Sequence, residues 1–257
     1  MVSVTNTQIT LVQIDNYGPW TVTPEPRREV DLQTLQSRLY ADLAQLIGTK
    51  EGYVFFTRFD NIVAVTNGLD MEAHGLFQES IANRYPVTVS LSVETDKTPA
   101  EALRTASERL QRAGSAQDAG RQEILRGQVV GEPARTEGDL QMAHFDVNDA
   151  TGKYTDRLSE YDTFVHIQQG YSELMQYMYE AYDSLSFFVG GDNIITTCPA
   201  LDADAYWDAI EHVRGTVDVE LKVGVGRGRS AQRAGMAAKH ALEVCRDGGD
   251  EVELAVD

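Results

Sequence analysis

The chain has 257 residues, 42% of them hydrophobic, with a formal net charge of −18. That length suits one large domain or two of ordinary size, each with a real core. So acidic a surface repels nucleic acid; no apolar run is long enough to span a membrane, the start lacks a signal-peptide pattern, and a cytoplasmic protein is expected.

Lysine occurs only at Lys50, Lys97, Lys153, Lys222 and Lys239. An acidic, lysine-poor surface fits a protein working in concentrated salt, where screening removes the cost of self-repulsion. Cys198 and Cys245 have no cysteine or histidine at metal-ligand spacing, and His74, His144, His166, His212 and His240 form no cluster. No structural zinc site is expected. Any metal should be a hard cation on carboxylates and carbonyls, magnesium first.

In chain order, Gln8 to Asp15 reads as a strand rich in β-branched residues. Apolar residues at Val30, Leu32, Leu35, Leu39, Leu43, Leu46 and Ile47 predict a helix over 28–47. Strands at 53–57 and 62–66 flank an Arg58-Phe59-Asp60-Asn61 corner. A helix over Met71 to Asn83, a strand over Val87 to Val93 and, after Thr98-Pro99, a helix over Ala100 to Arg112 complete the half. Gly114 to Gly138 reads as a partly helical connector.

The second half repeats the order. A strand ends at Asp146, and a long helix spans Tyr161 to Tyr182. Strands at 185–189 and 194–198 flank a Gly190-Gly191-Asp192-Asn193 corner. A helix over Asp204 to Val213, a strand over 219–226, a helix over Ser230 to Cys245 and a frayed acidic tail from Gly248 follow. Asp60 and Asp192 are 132 residues apart, Asp15 and Asp146 are 131 apart, and Leu110 and Leu242 are 132 apart. A shared order at near-constant offset marks an internal duplication. The expected fold is α+β: two tandem ferredoxin-like βαββαβ palm domains with antiparallel sheets, at 1–125 and 139–257, joined by a connector at 126–138.

In this topology the first strand is expected to be central, beside the second and third. Asp146 then meets Asp192 at the hairpin tip, and Asp15 meets Asp60. Two converging carboxylates, with the carbonyl of Val147 or Asn16, can hold one or two magnesium ions. Such ions, ~4 Å apart, polarise a phosphoryl group and activate water. Gly190 and Gly191 would let triphosphate oxygens approach the backbone. Aspartate is common in hairpin turns, but two corners, each matched by an aspartate ending the first strand, favour the metal reading in at least one half. Gly224, Gly226 and Gly228 lie at a strand end, outside a dinucleotide-binding context.

A first-strand aspartate with a Gly-Gly-Asp corner resembles the palm domains of nucleotide cyclases, GGDEF diguanylate cyclases and family A polymerases. The chain resembles most closely the archaeal GTP cyclohydrolase III (IIa) family, on "QIDNYGPWTVTPEPRREVDLQTLQSRLYADL", "RFDN", "ESIANRYPVTVS", "GSAQD" and "GGDN", covering nearly its whole length. The resemblance implies hydrolytic opening of the guanine imidazole ring of GTP at C8 with release of pyrophosphate. The product would be 2-amino-5-formylamino-6-ribosylamino-4(3H)-pyrimidinone 5′-phosphate, an early riboflavin and deazaflavin intermediate. It also implies magnesium, activation by a monovalent cation such as potassium, and a homotetramer.

On this resemblance the metal carboxylates are Asp15 with Asp60, or Asp146 with Asp192, and the sequence leaves the active half open. Tyr17 and Trp20 could stack on a base, or be buried aromatics of a proline-stiffened loop. Arg27, Arg28 and Arg58 could meet phosphates, with Asn61, Gly190, Gly191 and Asn193 beside them. Arg27 and Arg28 could equally sit in the first turn of a surface helix. His144, two residues before Asp146, is more naturally a packed residue than a base. Rival readings are a palm-type nucleotidyl cyclase and a non-catalytic GTP-binding regulator.

Overall fold

The computed structural model describes residues 6–129 and 140–255. Residues 6–97 and 101–129 group into one compact unit, and 98–100 with 140–255 into the other. No helix among the described residues is long and apolar enough to cross a membrane.

The first unit runs β1 (Thr7–Ile14), α1 (Tyr17–Val22), α2 (Glu29–Gly48), β2 (Tyr53–Phe56), β3 (Asn61–Val65), α3 (Met71–Arg84), β4 (Val89–Asp96), α4 (Pro99–Arg112) and β5 (Leu125–Gly127). Its sheet order is β2-β3-β1-β4-β5. The first four strands thus have the ferredoxin-like arrangement. Strand β1 is central, but its neighbours are β3 and β4 rather than β2 and β3. The hairpin reaches β1 only through its returning strand, which leaves β2 at the edge.

Side chains alternate across β1. Val12 and Ile14 enter a core with Leu39, Leu43 and Ile47 of α2 and Phe77 and Ile81 of α3. The opposite face carries Leu11 and Gln13. Residues 113–129 form no helix; Leu125–Gly127 instead pairs in parallel with β4, across the expected 125/126 boundary. The rest of the expected connector, 130–138, lies outside the described residues.

The second unit runs β6 (Leu140–Val147), a π-helical turn at Thr151–Thr155, α5 (Glu160–Tyr182), β7 (Leu185–Gly190), β8 (Asn193–Cys198), α6 (Ala203–Val217), β9 (Leu221–Gly228), α7 (Ala231–Gly248) and β10 (Val252–Leu254). Its order, β10-β9-β6-β8-β7, repeats the first. The tail expected to fray supplies β10, which pairs in parallel with β9. Ala143, Phe145 and Val147 of β6 face the core formed with α5 and α6. Met142, His144 and Asp146 therefore face the other way, toward α7.

Helix α7 lies directly on β9. A Cβ on Gly224 would sit 2.1 Å from Leu242 N, and one on Gly226 2.1 Å from Ala238 N. Glycine in β9 and buried Ala234, Ala238 and Ala241 in α7 allow this approach. Position therefore explains Gly224, Gly226 and Gly228, which make helix–sheet contact. Both cysteines are buried free thiols.

Candidate active site

In the second unit β6 carries Asp146 to the mouth of the β7–β8 hairpin, where it pairs across the sheet with Asn193 and with Lys222. Asp146 is only 6% exposed. Burial raises its carboxyl above the usual aspartate range, the Arg246 guanidinium opposes that shift, and the Asp192 carboxylate within hydrogen-bonding reach raises it further. Two carboxylates thus converge.

The hairpin tip is shaped for this. Gly190 and Gly191 have φ of 115° and 64°, a region costly for side-chain-bearing residues. Asn193 Nδ2 donates to Asp192 Oδ1 at 3.1 Å, and His144 Nε2 lies 2.9 Å from Asn193 Oδ1, which accepts its proton. His144 is thereby tied to Asn193 and orients the corner. Helix α7 delivers Arg246, whose Nη2 lies 2.9 Å from Asp146 Oδ1 and whose Nε donates to Oδ2 at 3.3 Å. A cleft of about 350 Å³ is lined by Asp146, Val147, Asn148, Asp192, Lys222 and Arg246, among others. Three acids, Asp146, Asp149 and Asp192, and two cationic side chains border one small volume, the charge pattern that a cation and a phosphate chain would complete.

The first unit differs. Asp15 is 3% exposed, and its carboxylate is filled by protein donors. Ser90 Oγ donates at 2.6 Å, Thr88 Oγ1 at 2.8 Å and Glu123 N at 2.9 Å, and Arg121 Nη1 lies 3.3 Å away. Asp60 sits at the β2–β3 corner, its carbonyl accepting from Ile14 N at 3.0 Å. The expected Asp15–Asp60 pair is not assembled, because Asp15 lies one residue past the end of β1 and turns toward β4 and the 115–124 segment. In register, Gln13 pairs with Asn61 and Ser90, as Asp146 pairs with Asn193 and Lys222. The near-equal sequence offset of Asp15 and Asp146 therefore misaligns the halves by two residues.

The other expected residues divide. Asn16, at φ 50°, caps α1, a helix where a loop was read. Tyr17 and Trp20 are ring-stacked at 6.1 Å, packed on the first core, and Tyr17 Oη accepts from Gln36 at 2.8 Å. The Arg27 guanidinium covers the Trp20 ring at 3.9 Å, and Arg28 pairs with Asp31 at the start of α2. Asn16 and Trp20 also line a small cleft of about 290 Å³ with Asp15, Tyr85 and Thr88, which Arg27 and Arg28 do not border. Arg58 and Asn61 line a separate cavity with Gln13.

A profile described as GTP cyclohydrolase III matches residues 9–256. The chain belongs to the GTP cyclohydrolase III family. It is an enzyme acting on GTP, a GTP cyclohydrolase, and this activity sets aside the cyclase and non-catalytic readings. GTP cyclohydrolase III of Natronomonas pharaonis is 71% identical over 252 residues, covering 98% of this chain and 100% of that protein. GTP cyclohydrolase III 1 of Halobacterium salinarum is 66% identical over 250 residues, covering 97% and 98%. Among solved structures, the GGEEF domain of a Vibrio cholerae diguanylate cyclase matches 48% of this chain and 86% of its own, at 11% identity and a TM-score of 0.39.

Sequence reasoning about this cyclohydrolase missed Lys222, Arg246 and Arg121. Arg246 lies 100 residues from Asp146, on the last turn of a helix, and nothing local marks it. The alternation of β9 could have placed Lys222 on the face of Asp146. Arg121 lay in the segment misread as partly helical.

Proposed function

We propose that this cyclohydrolase acts through the Asp146–Asp192 pair, with magnesium as the cation those carboxylates hold. The convergence of two carboxylates in a cleft that also presents Arg246 and Lys222 carries the reading. The donors fit a hard cation: they are oxygens, and buried Asp146 Oδ1 has only the charge contact with Arg246, with no aligned hydrogen-bond donor. Asp146, Asp192 and the Val147 carbonyl would hold it. When bound, such an ion supplies Lewis acidity toward phosphoryl oxygens and makes bound water a better nucleophile at neutral pH.

The chain's own residues do the rest. Gly190 and Gly191 let phosphate oxygens approach the hairpin backbone. Arg246 and Lys222 take up negative charge on the triphosphate, Arg246 as a planar fork. His144 and Asn193 hold Asp192 in place. The overall conversion adds one water at C8, opening the imidazole ring with the formyl group retained, and uses another to cleave between the α- and β-phosphates. The products are the formylamino pyrimidine monophosphate and pyrophosphate, placing the step early in riboflavin and deazaflavin formation. Activation by potassium, a homotetramer, a cytoplasmic setting and a preference for high salt belong to the same reading; the salt preference is supported by the net charge of −18.

GTP turnover in magnesium and concentrated potassium chloride, with products identified by mass, tests this on the wild type, Asp192→Asn and Asp60→Asn. The formylamino pyrimidine from the wild type, with Asp192→Asn much the slower variant, is expected. Selective damage from Asp60→Asn would overturn the assignment to the second unit.

A further inference from the structure

The charged cleft of the second unit has a counterpart in the first, and there its charges are gone. Gln13 stands in the register of Asp146, and Ser90 in that of Lys222. Gly114, 132 residues before Arg246, lies past the end of α4, so no guanidinium projects from that position. At the corner, Arg58 and Phe59 replace Gly190 and Gly191. Phe59 keeps the left-handed backbone, at φ 61° against 64° for Gly191, braced on Phe56 at 4.5 Å. A carboxylate, an ammonium and a guanidinium have become an amide, a hydroxyl and a glycine.

What remains is a cavity of about 610 Å³ bordered by β1, β3, the corner, α4 and residues 114–116, within the size range of small-molecule sites. Helix α4 does not close it as α7 closes the second unit. Where β9 has Gly224 and Gly226, β4 has Ser92 and Glu94 at the same offset, and Glu94 reaches across to Arg109 of α4. The walls are apolar, from Leu11, Val63 and Leu110. On one edge Gln13 Nε2 donates to Asn61 Oδ1 at 3.0 Å, which leaves the amide pair with Gln13 Oε1 as an acceptor and Asn61 Nδ2 as a donor. Exposed Arg58 stands at the rim. The "RFDN" and "GSAQD" stretches, far apart in sequence, both contribute.

We infer that this cavity binds the base of a purine nucleotide and needs no metal ion to do so. Apolar walls suit the faces of a planar ring, the amide pair suits its hydrogen-bonding edge, and Arg58 suits a phosphate outside. The inference rests on assigning the metal pair to the second unit, since it takes the first unit's site as the uncharged one.

The test is calorimetric titration of the full chain with GTP, and separately with ATP, in excess EDTA. The proteins are the wild type, Asp192→Asn, Gln13→Leu and Ser107→Phe, each checked for native circular dichroism. Ser107 lines the cavity from α4, and a phenyl group there would project into the space a ring must occupy. Binding of either nucleotide to the wild type is expected, with the same Kd in Asp192→Asn, at least tenfold weaker in Gln13→Leu and lost in Ser107→Phe. Absence of metal-free binding, or binding that Gln13→Leu and Ser107→Phe leave unchanged, would overturn it. Failure of the metal-pair reading shows separately, as undiminished turnover in Asp192→Asn.

Discussion

Gln13 stands in the first unit where Asp146 stands in the second: each is the β-strand residue that faces an asparagine of its own hairpin and a residue of the neighbouring strand. The duplicated frame is intact, but only one copy offers a carboxylate at that point. Asp15, two residues further on, is consumed by internal hydrogen bonds.

Removing either member of the converging pair should abolish most catalysis. Asp146→Asn and Asp192→Asn should each lower kcat for GTP by about 10²-fold or more, several kcal/mol of transition-state stabilisation. Asp60→Asn should stay within a few-fold of the wild type. Steady-state turnover with mass identification of products decides it.

Arg246 should act on substrate binding and on the apo-protein together. Arg246→Ala should raise KM for GTP roughly tenfold, the scale of one charge-assisted hydrogen bond, with a smaller change in kcat. Without magnesium it should also lower stability by about 1 kcal/mol, a small effect because the guanidinium is 39% exposed and screened. Magnesium should restore the melting temperature. Arg246→Lys, a point charge without the fork, should recover only part of the affinity.

Arg121 and Asp15 form a pair whose side chains are 3% and 1% exposed. Arg121→Ala leaves a buried carboxylate without its counter-charge and should cost about 3–5 kcal/mol in chemical denaturation. Turnover per folded molecule should change far less than in Asp192→Asn. A loss of turnover as large as that of Asp192→Asn in folded protein would make Asp15 a catalytic residue after all.

Gly226→Ala should separate packing from chemistry. The added methyl meets backbone atoms of α7, Ala238 N at 2.1 Å and Ala234 O at 2.5 Å, so the helix must move. A loss of about 3 kcal/mol or more is expected. Because α7 carries Arg246, KM for GTP should rise even where the variant is folded.

His74 gives the fold an acid limit. Its Nδ1–H donates to the Asp70 carbonyl at 2.6 Å, and Nε2 accepts from Thr10 Oγ1 at 2.8 Å. Burial lowers its pKa below the ordinary 6.5. The folded state therefore prefers neutral imidazole, while the unfolded chain takes up a proton below pH 6.5. The contribution is complete above that value and is lost as pH falls toward and through the folded-state value. His74→Gln should show a shallower fall in stability than the wild type over that interval, measured by denaturant titration at stepped pH.

Much of the architecture was legible in the chain. Leu35, Leu39, Leu43 and Ile47 gave α2 its buried stripe, and β-branched residues located β1. The 132-residue repeat announced two palms. The misreadings were local. The segment 113–129 reads as partly helical, but its Leu125–Gly127 stretch goes to a parallel edge strand, because β4 still had an unpaired side to satisfy. The acidic tail holds Val252 and Leu254, which complete the other sheet in the same way.

The sequence by itself determined the fold, the duplication and the set of acids that could hold a cation, because hydrophobic period and turn composition are local properties. The tertiary structure decided which acids meet. Strand register is a non-local pairing, and a two-residue difference in it places Gln13 rather than Asp15 opposite the first hairpin. Close helix–sheet contact through Gly224 and Gly226 then brings Arg246 to Asp146 across 100 residues of sequence, a juxtaposition that no local pattern encodes.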